Sequence, residues 1–151
     1  MLNKKMGYIG VIIFVLLVIF TLFYHPHVAT KIFENKYVEF KLPENIIVVD
    51  NSNETFDINF YNSTPKTGDR SDPNFIADMR AVKTNYINSS TNVTDITLVD
   101  GINATEFVDK SANTFNLFVP LKNHKYALLF EIYLNQSQVT YETVKDSLTI
   151  K

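Results

Sequence analysis

The feature that most constrains this chain is an uninterrupted apolar run near its start. From Met6 to Tyr24 no residue is charged, and most positions are Ile, Leu, Val or Phe. As a helix rising about 1.5 Å per residue, a segment of that length nearly spans the hydrocarbon core of a bilayer. A lone span in lipid must satisfy its own backbone polar groups, which leaves helix as its form. Tyr8 and Tyr24 stand near the two ends, where amphipathic rings favour the headgroup region. Lys4 and Lys5 precede the run in a very short tail. Positive charge so placed keeps the tail in the cytoplasm and sends the bulk of the chain outward, a bias that Lys31 and Lys36 weaken. The expected organisation is a cytoplasmic tail at 1–5, a transmembrane helix at 6–24, a juxtamembrane stem at 25–35 and an extracytoplasmic domain at 36–151. The expected localisation is the cell membrane, single-pass, with the membrane itself as a partner.

Two rival forms of the run fit less well. A cleaved signal peptide has a shorter apolar stretch, about 7–15 residues, and a small-x-small exit. Here the exit is Tyr24-His25-Pro26-His27-Val28-Ala29, which puts His27 where a small residue belongs. A helix packed on the core of a domain this small would keep a polar face toward solvent, and this run has none. The run therefore reads as a signal-anchor.

Six Asn-x-Ser/Thr triplets, at Asn53, Asn62, Asn88, Asn92, Asn103 and Asn135, agree with export as candidate glycosylation sites. A chain this rich in Asn, Ser and Thr makes roughly two or three such triplets by composition alone, so the excess is modest. Cysteine is absent. The domain must be held by packing without disulfides, and thiol chemistry and thiolate metal sites are excluded. A formal charge of -2 provides no basic field, so nucleic acid is not an expected partner.

Past the stem the period of the pattern becomes two. Val38, Phe40 and Leu42 alternate with Tyr37, Glu39 and Lys41, as in a half-buried strand that Pro43 ends. Ile46–Val49 is a short β-branched run, and Phe56, Ile58 and Phe60 alternate with Asp57, Asn59 and Tyr61. These predict the first strands of an antiparallel sheet with one wet face. After a loop carrying Pro65, Gly68 and Pro73, the apolar residues Phe75, Met79, Val82 and Tyr86 recur at helical spacing. Asp72 is placed to N-cap that helix and Pro73 to open it, with an end by Ser89. Asp100-Gly101 then predicts a type I′ hairpin between a strand through Ile96 and Leu98 and one from Ile102 to Val108. Asn113–Val119 is a further strand. Tyr126–Leu134, apolar on both faces, belongs at the centre of the sheet. Ser137 caps a last helix through Tyr141, Val144 and Leu148. The expected class is α+β, an antiparallel sheet with helices packed on it.

Phe40–Asn45, Ile96–Phe107 and Tyr141–Ile150 are three segments that together resemble PsbP-like domains. Phe40-Lys41-Leu42-Pro43-Glu44-Asn45 looks like that family's opening strand and turn. Ile96–Phe107, around Asp100-Gly101-Ile102-Asn103-Ala104, resembles its central hairpin, and Tyr141–Ile150 its closing helix. Ile46 stands where the family usually has Trp. The resemblance covers roughly residues 36–151 and implies a central antiparallel sheet sandwiched by helices. The architecture is shared with a nuclear-transport factor that binds the Ran GTPase. No metal or partner-binding residue of the family maps onto this chain, and a shared fold does not fix function.

No segment carries a catalytic or cofactor signature. His25-Pro26-His27 offers two imidazoles but no third ligand. His124 lies in a polar turn, and no serine sits in a nucleophile elbow. Asp69, Asp72 and Asp78 gather near the expected first helix without the spacing of a calcium loop. Phe56, Phe60, Phe75, Tyr86, Phe115 and Phe130 fall at core periods. With four Gly in all there is no phosphate-cradling loop. No catalytic, metal or cofactor-binding residue is assigned, and no cofactor is expected. Two classes of function remain. One is a membrane-tethered, non-catalytic binding or accessory domain that contacts another envelope or membrane protein or an unknown ligand. The other is an exported hydrolase acting on a cell-surface polymer. A concave site gathering carboxylates or His124 would favour the second.

Overall fold

The computed structural model describes residues 13–16, 18, 28–53, 55–85, 91–122, 125–136 and 138–151. Alternation dominates the chain once its start is passed. The strands are β1 (Thr30–Glu34), β2 (Val38–Pro43), β3 (Ile47–Asp50), β4 (Asp57–Tyr61), β5 (Phe75–Lys83), β6 (Thr91–Thr97), β7 (Asn103–Asp109), β8 (Thr114–Pro120), β9 (Tyr126–Tyr133) and β10 (Thr149–Ile150). A short helix, α1 (Gln138–Lys145), precedes the last strand. Every pairing is antiparallel. A small sheet has the order β1-β2-β10 and a large one the order β3-β4-β5-β9-β8-β7-β6.

The two sheets meet through aromatic rings. On the small sheet Val38, Phe40 and Leu42 are buried, as the period of two requires. Opposite them stand Ile58 and Phe60 of β4, Met79 of β5, Leu117 of β8 and Phe130 of β9. Phe40, Phe60, Phe130 and Tyr141 form a continuous chain of ring contacts, with successive centroids 5.7, 5.4 and 5.7 Å apart, the first two pairs tilted and the last stacked. Burying each such side chain contributes about 1.5–3 kcal/mol. Tyr141, Val144 and Leu148 bring α1 into the same core. Ser147 Oγ fastens the helix end to β2, donating to Thr143 O at 2.6 Å and accepting from Lys41 N at 2.7 Å.

Several expectations are corrected here. The class is not α+β with helices on the sheet, nor a sheet sandwiched by helices. The fold is mostly β, in two antiparallel sheets, and α1 has only 8 residues. The expected transmembrane helix at 6–24 is also overturned, because no helix among the described residues is long and apolar enough to cross a membrane. A span needs about 20 apolar residues in one helix. Within 6–24 only Ile13–Leu16 and Val18 are described, as helix, and the rest of that expectation lies outside the described residues. The signal-anchor, the membrane as a single-span partner and the single-pass localisation with an extracytoplasmic domain fall with it. The stem expected at 25–35 contains β1, paired along its length with β2 from Thr30↔Pro43 to Glu34↔Glu39.

The helix expected after Pro73 is strand β5 through Lys83, and its expected end at 86–89 lies outside the described residues. Ile76, Ala77, Asp78 and Met79 are all buried, because β5 lies inside the sheet between β4 and β9 and is covered on both faces. A strand buried on both faces loses its alternation, and its apolar residues can then mimic a helical period. The Asp100-Gly101 hairpin forms, but with a different turn. Gly101 N donates to Leu98 O and Leu98 N to Ile102 O, both at 2.9 Å. Only Gly101 has positive φ there (79°). That is a three-residue loop, a type I turn closed by a left-handed glycine, rather than type I′. The expected Ser137 cap lies outside the described residues, whereas β9 stands, as its two apolar faces predict, at the centre of seven strands.

Asp72 caps a loop, not a helix. Its carboxylate accepts from the backbone amides of Lys66 (2.5 Å), Thr67 (2.8 Å) and Asn74 (2.9 Å), folding the 62–74 segment around itself. Those amides, Thr67 first, hold its carboxyl down to about 2, from an ordinary 3.8. A depressed folded pKa stabilises above the ordinary value and is lost as pH falls through the lower one. The stability gap between the wild type and Asp72→Asn should therefore be constant above about pH 4 and close toward about pH 2. Urea midpoints across that range check this. A gap unchanged at the acid end would show that the carboxylate's charge is not what holds the loop.

Candidate functional site

The large sheet carries its chemistry on two faces and one open end. On the face away from the small sheet, register aligns Asn59, Asp78, Glu131 and Asn116 across four neighbouring strands. Arg80, one pair along, binds Asp78 and, at 2.8 Å, Glu131. Arg70 reaches in from the 62–74 loop to Asp78 at 2.6 Å and Asp57 at 3.1 Å. Burial pushes the Asp78 carboxyl up against the opposing pull of Arg80 and Arg70. Asn59 Oδ1 is buried without a hydrogen-bond partner among the described residues. A cavity of about 40 Å³ beside Arg70, Asp78 and Glu131 has room for one water-sized molecule. The cluster ties β4, β5, β9 and the loop together, and its space admits no substrate.

Where α1 crosses the facing side of the sheet, Glu106, Glu142, Tyr141 and the half-exposed Phe115 line a groove of about 260 Å³. Both carboxylates converge on Lys145 Nζ, at 3.3 Å for Glu106 and 2.5 Å for Glu142. Tyr141 Oη donates to Glu106 at 2.9 Å. Burial first, then the Glu106 charge, holds the Tyr141 phenol above its ordinary range. These groups are engaged with one another, and together they pin the helix to β7.

The third feature is the open end between the two sheets. There a cavity of about 600 Å³ is walled by Tyr37, Phe56, Leu121, Leu128 and Ile150, with Ala81 on its floor. It exists because of a size mismatch. β5 presents Ala81 to this face beside Leu128 of β9, and its methyl group fills little of the space that Ile150 of β10 also lines. Phe56 and Tyr37 close one side in an edge-to-face pair at 5.4 Å. Lys122 and Lys151 stand at the rim. The volume is in the range of pockets that hold small organic molecules, about 300–1,000 Å³.

The residues singled out from sequence scatter over this framework. Asn53, Asn62, Asn103 and Asn135 are exposed on turns and strand ends, Asn92 lies on β6, and Asn88 lies outside the described residues. His25, His27 and His124 also lie outside them. Asp69 and Asp72 shape the loop, and Asp78 belongs to the arginine cluster instead. No group of three or more His, Cys, Asp or Glu fit to hold a metal occurs among the described residues. Of the expected core aromatics Phe60 and Phe130 are fully buried, Phe56 and Phe75 half-buried, and Phe115 is 37% exposed. Tyr86 lies outside the described residues. Ala81, Leu121, Lys122 and Ile150 gave no signal in sequence, since small, aliphatic and lysine residues near strand ends are ordinary.

No family model, curated protein or solved structure matches the chain.

Proposed function

We propose that this chain is a non-catalytic binding domain that takes an apolar small molecule into the open end between its two sheets. The observation that carries the proposal is the cavity of about 600 Å³ walled by aromatic and aliphatic side chains. Such a surface gains by excluding water from a ligand of its own kind, at about 25 cal/mol per Å² of apolar area buried. Its polar groups are two rim lysines, two tyrosines and Thr55, which suit orientation of a ligand. The carboxylates of the groove under α1 are spent on Lys145, which weighs against a hydrolase there.

An uncharged solvatochromic dye such as Nile red tests this. Binding should be saturable, and Ala81→Phe, which fills the floor, should weaken it at least about tenfold. Ala81 is exposed, so the larger ring has room and the melting temperature should hold. Equal dye binding by the filled variant would sink the proposal.

A further inference from the structure

We infer that the ligand of this cavity is a single-chain amphiphile with an anionic head group, the head lying at Lys122. The inference rests on the binding function proposed above and adds the chemistry of the ligand. Four titratable side chains line the cavity, Tyr37, Tyr126, Lys122 and Lys151, and no Asp or Glu does among the described residues. The two lysines differ. Lys151 Nζ is already paired with Glu34, and Glu39 lies 3.9 Å away. Lys122 is exposed at the rim, and among the described residues no hydrogen bond or ion pair engages it. An uncompensated ammonium at the mouth of an apolar cavity selects by sign. A carboxylate, sulfate or phosphate head is attracted, a neutral head gains nothing, and an ammonium head is repelled.

The lining agrees with an apolar chain. Phe56, Leu121, Leu128 and Ile150 come from four separate segments and line the cavity with apolar surface beside Lys122. An amphiphile satisfies both, its tail displacing water from these side chains while its head stays in solvent beside Lys122. Head-group placement at a water boundary avoids the cost of burying a charge.

The experiment is competition against Nile red on the full chain, using laurate, lauryl alcohol and laurylamine below their micellar concentrations. Laurate should compete about fivefold better than the alcohol, and the amine worst. Raising the salt should shrink the laurate advantage. Lys122→Glu should weaken laurate about fivefold or more and leave the alcohol unchanged. Equal competition by all three, or a Lys122→Glu variant indifferent to laurate, overturns the head-group inference while displacement of the dye leaves the cavity function standing. Dye binding that Ala81→Phe blocks but no lauryl compound disturbs overturns the single-chain ligand alone. A protein that binds neither dye nor chain overturns both.

Discussion

Replacing Arg80 with Met is expected to lower the unfolding free energy by about 3 kcal/mol, the low end of the range for breaking a buried ion pair. The guanidinium is the hub of the second face of the sheet, binding Asp78 and Glu131. Asp78 is 2% exposed, so without Arg80 its charge would have little water to turn to. The loss stays near the low end because Arg70 still reaches Asp78 at 2.6 Å. Arg70 itself has a side chain 48% exposed, so Arg70→Ala should remove only about 0.2–1 kcal/mol. Asp78→Asn should cost less than Arg80→Met, since it discards the desolvated charge and leaves Arg80 with Glu131. Urea unfolding of the three variants provides the test. A loss for Arg70→Ala equal to that for Arg80→Met would show that the loop contact, not the buried pair, carries the stability.

Most of the strands legible in sequence are those whose apolar and polar residues alternate. Val38, Phe40 and Leu42 alternate with polar residues, and β2 is where the pattern places it. Ile58 and Phe60 alternate likewise in β4, although Asn59 and Tyr61 on its other face are buried too. The misread strand is β5, where Asp78 and Arg80 look like solvent-facing charges on a helix. They are charges on alternate positions of a buried strand face, and their partner Glu131 lies far along the chain. Nothing local announces that pairing. β1 was hidden for a different reason. Its residues are mostly exposed, so Thr30–Glu34 carries no burial signal, and only its pairing with β2 makes it a strand.

The cavity was illegible because it is made by absence. A small Ala81 among aliphatic residues from three other segments leaves a space that no residue type marks. It could be suspected only after 75–83 is assigned as a strand, since alternation then puts Ala77, Met79 and Ala81 on one face. The Asp100-Gly101 signal shows the opposite case. There the glycine is needed locally, at positive φ, and the hairpin followed even though the turn type differed.

Phe130→Ala should be among the most damaging single changes, costing about 3–5 kcal/mol, while Phe115→Ala should cost about 1 kcal/mol. Sequence period treats the two rings alike, and the fold separates them. Phe130 is fully buried on the central strand, opposite Met79 and Leu117 in register. Its ring lies 5.4 Å from Phe60 and stacks on Tyr141 at 5.7 Å with an interplanar angle of 8°. Truncation there leaves a hole with a sheet on one side and a helix on the other, neither free to collapse. Phe115 also stacks on Tyr141, at 5.9 Å, but is 37% exposed at the edge of the groove, so water fills the space it leaves. The larger loss is a sizeable part of the 5–15 kcal/mol that holds a typical domain, and should lower the melting temperature by roughly 10–15 °C. Phe130→Leu, which keeps most of the volume, should recover more than half of it. Equal losses for Phe130→Ala and Phe115→Ala in denaturant titrations would mean that the stack, and not burial between the layers, sets the stability of this core.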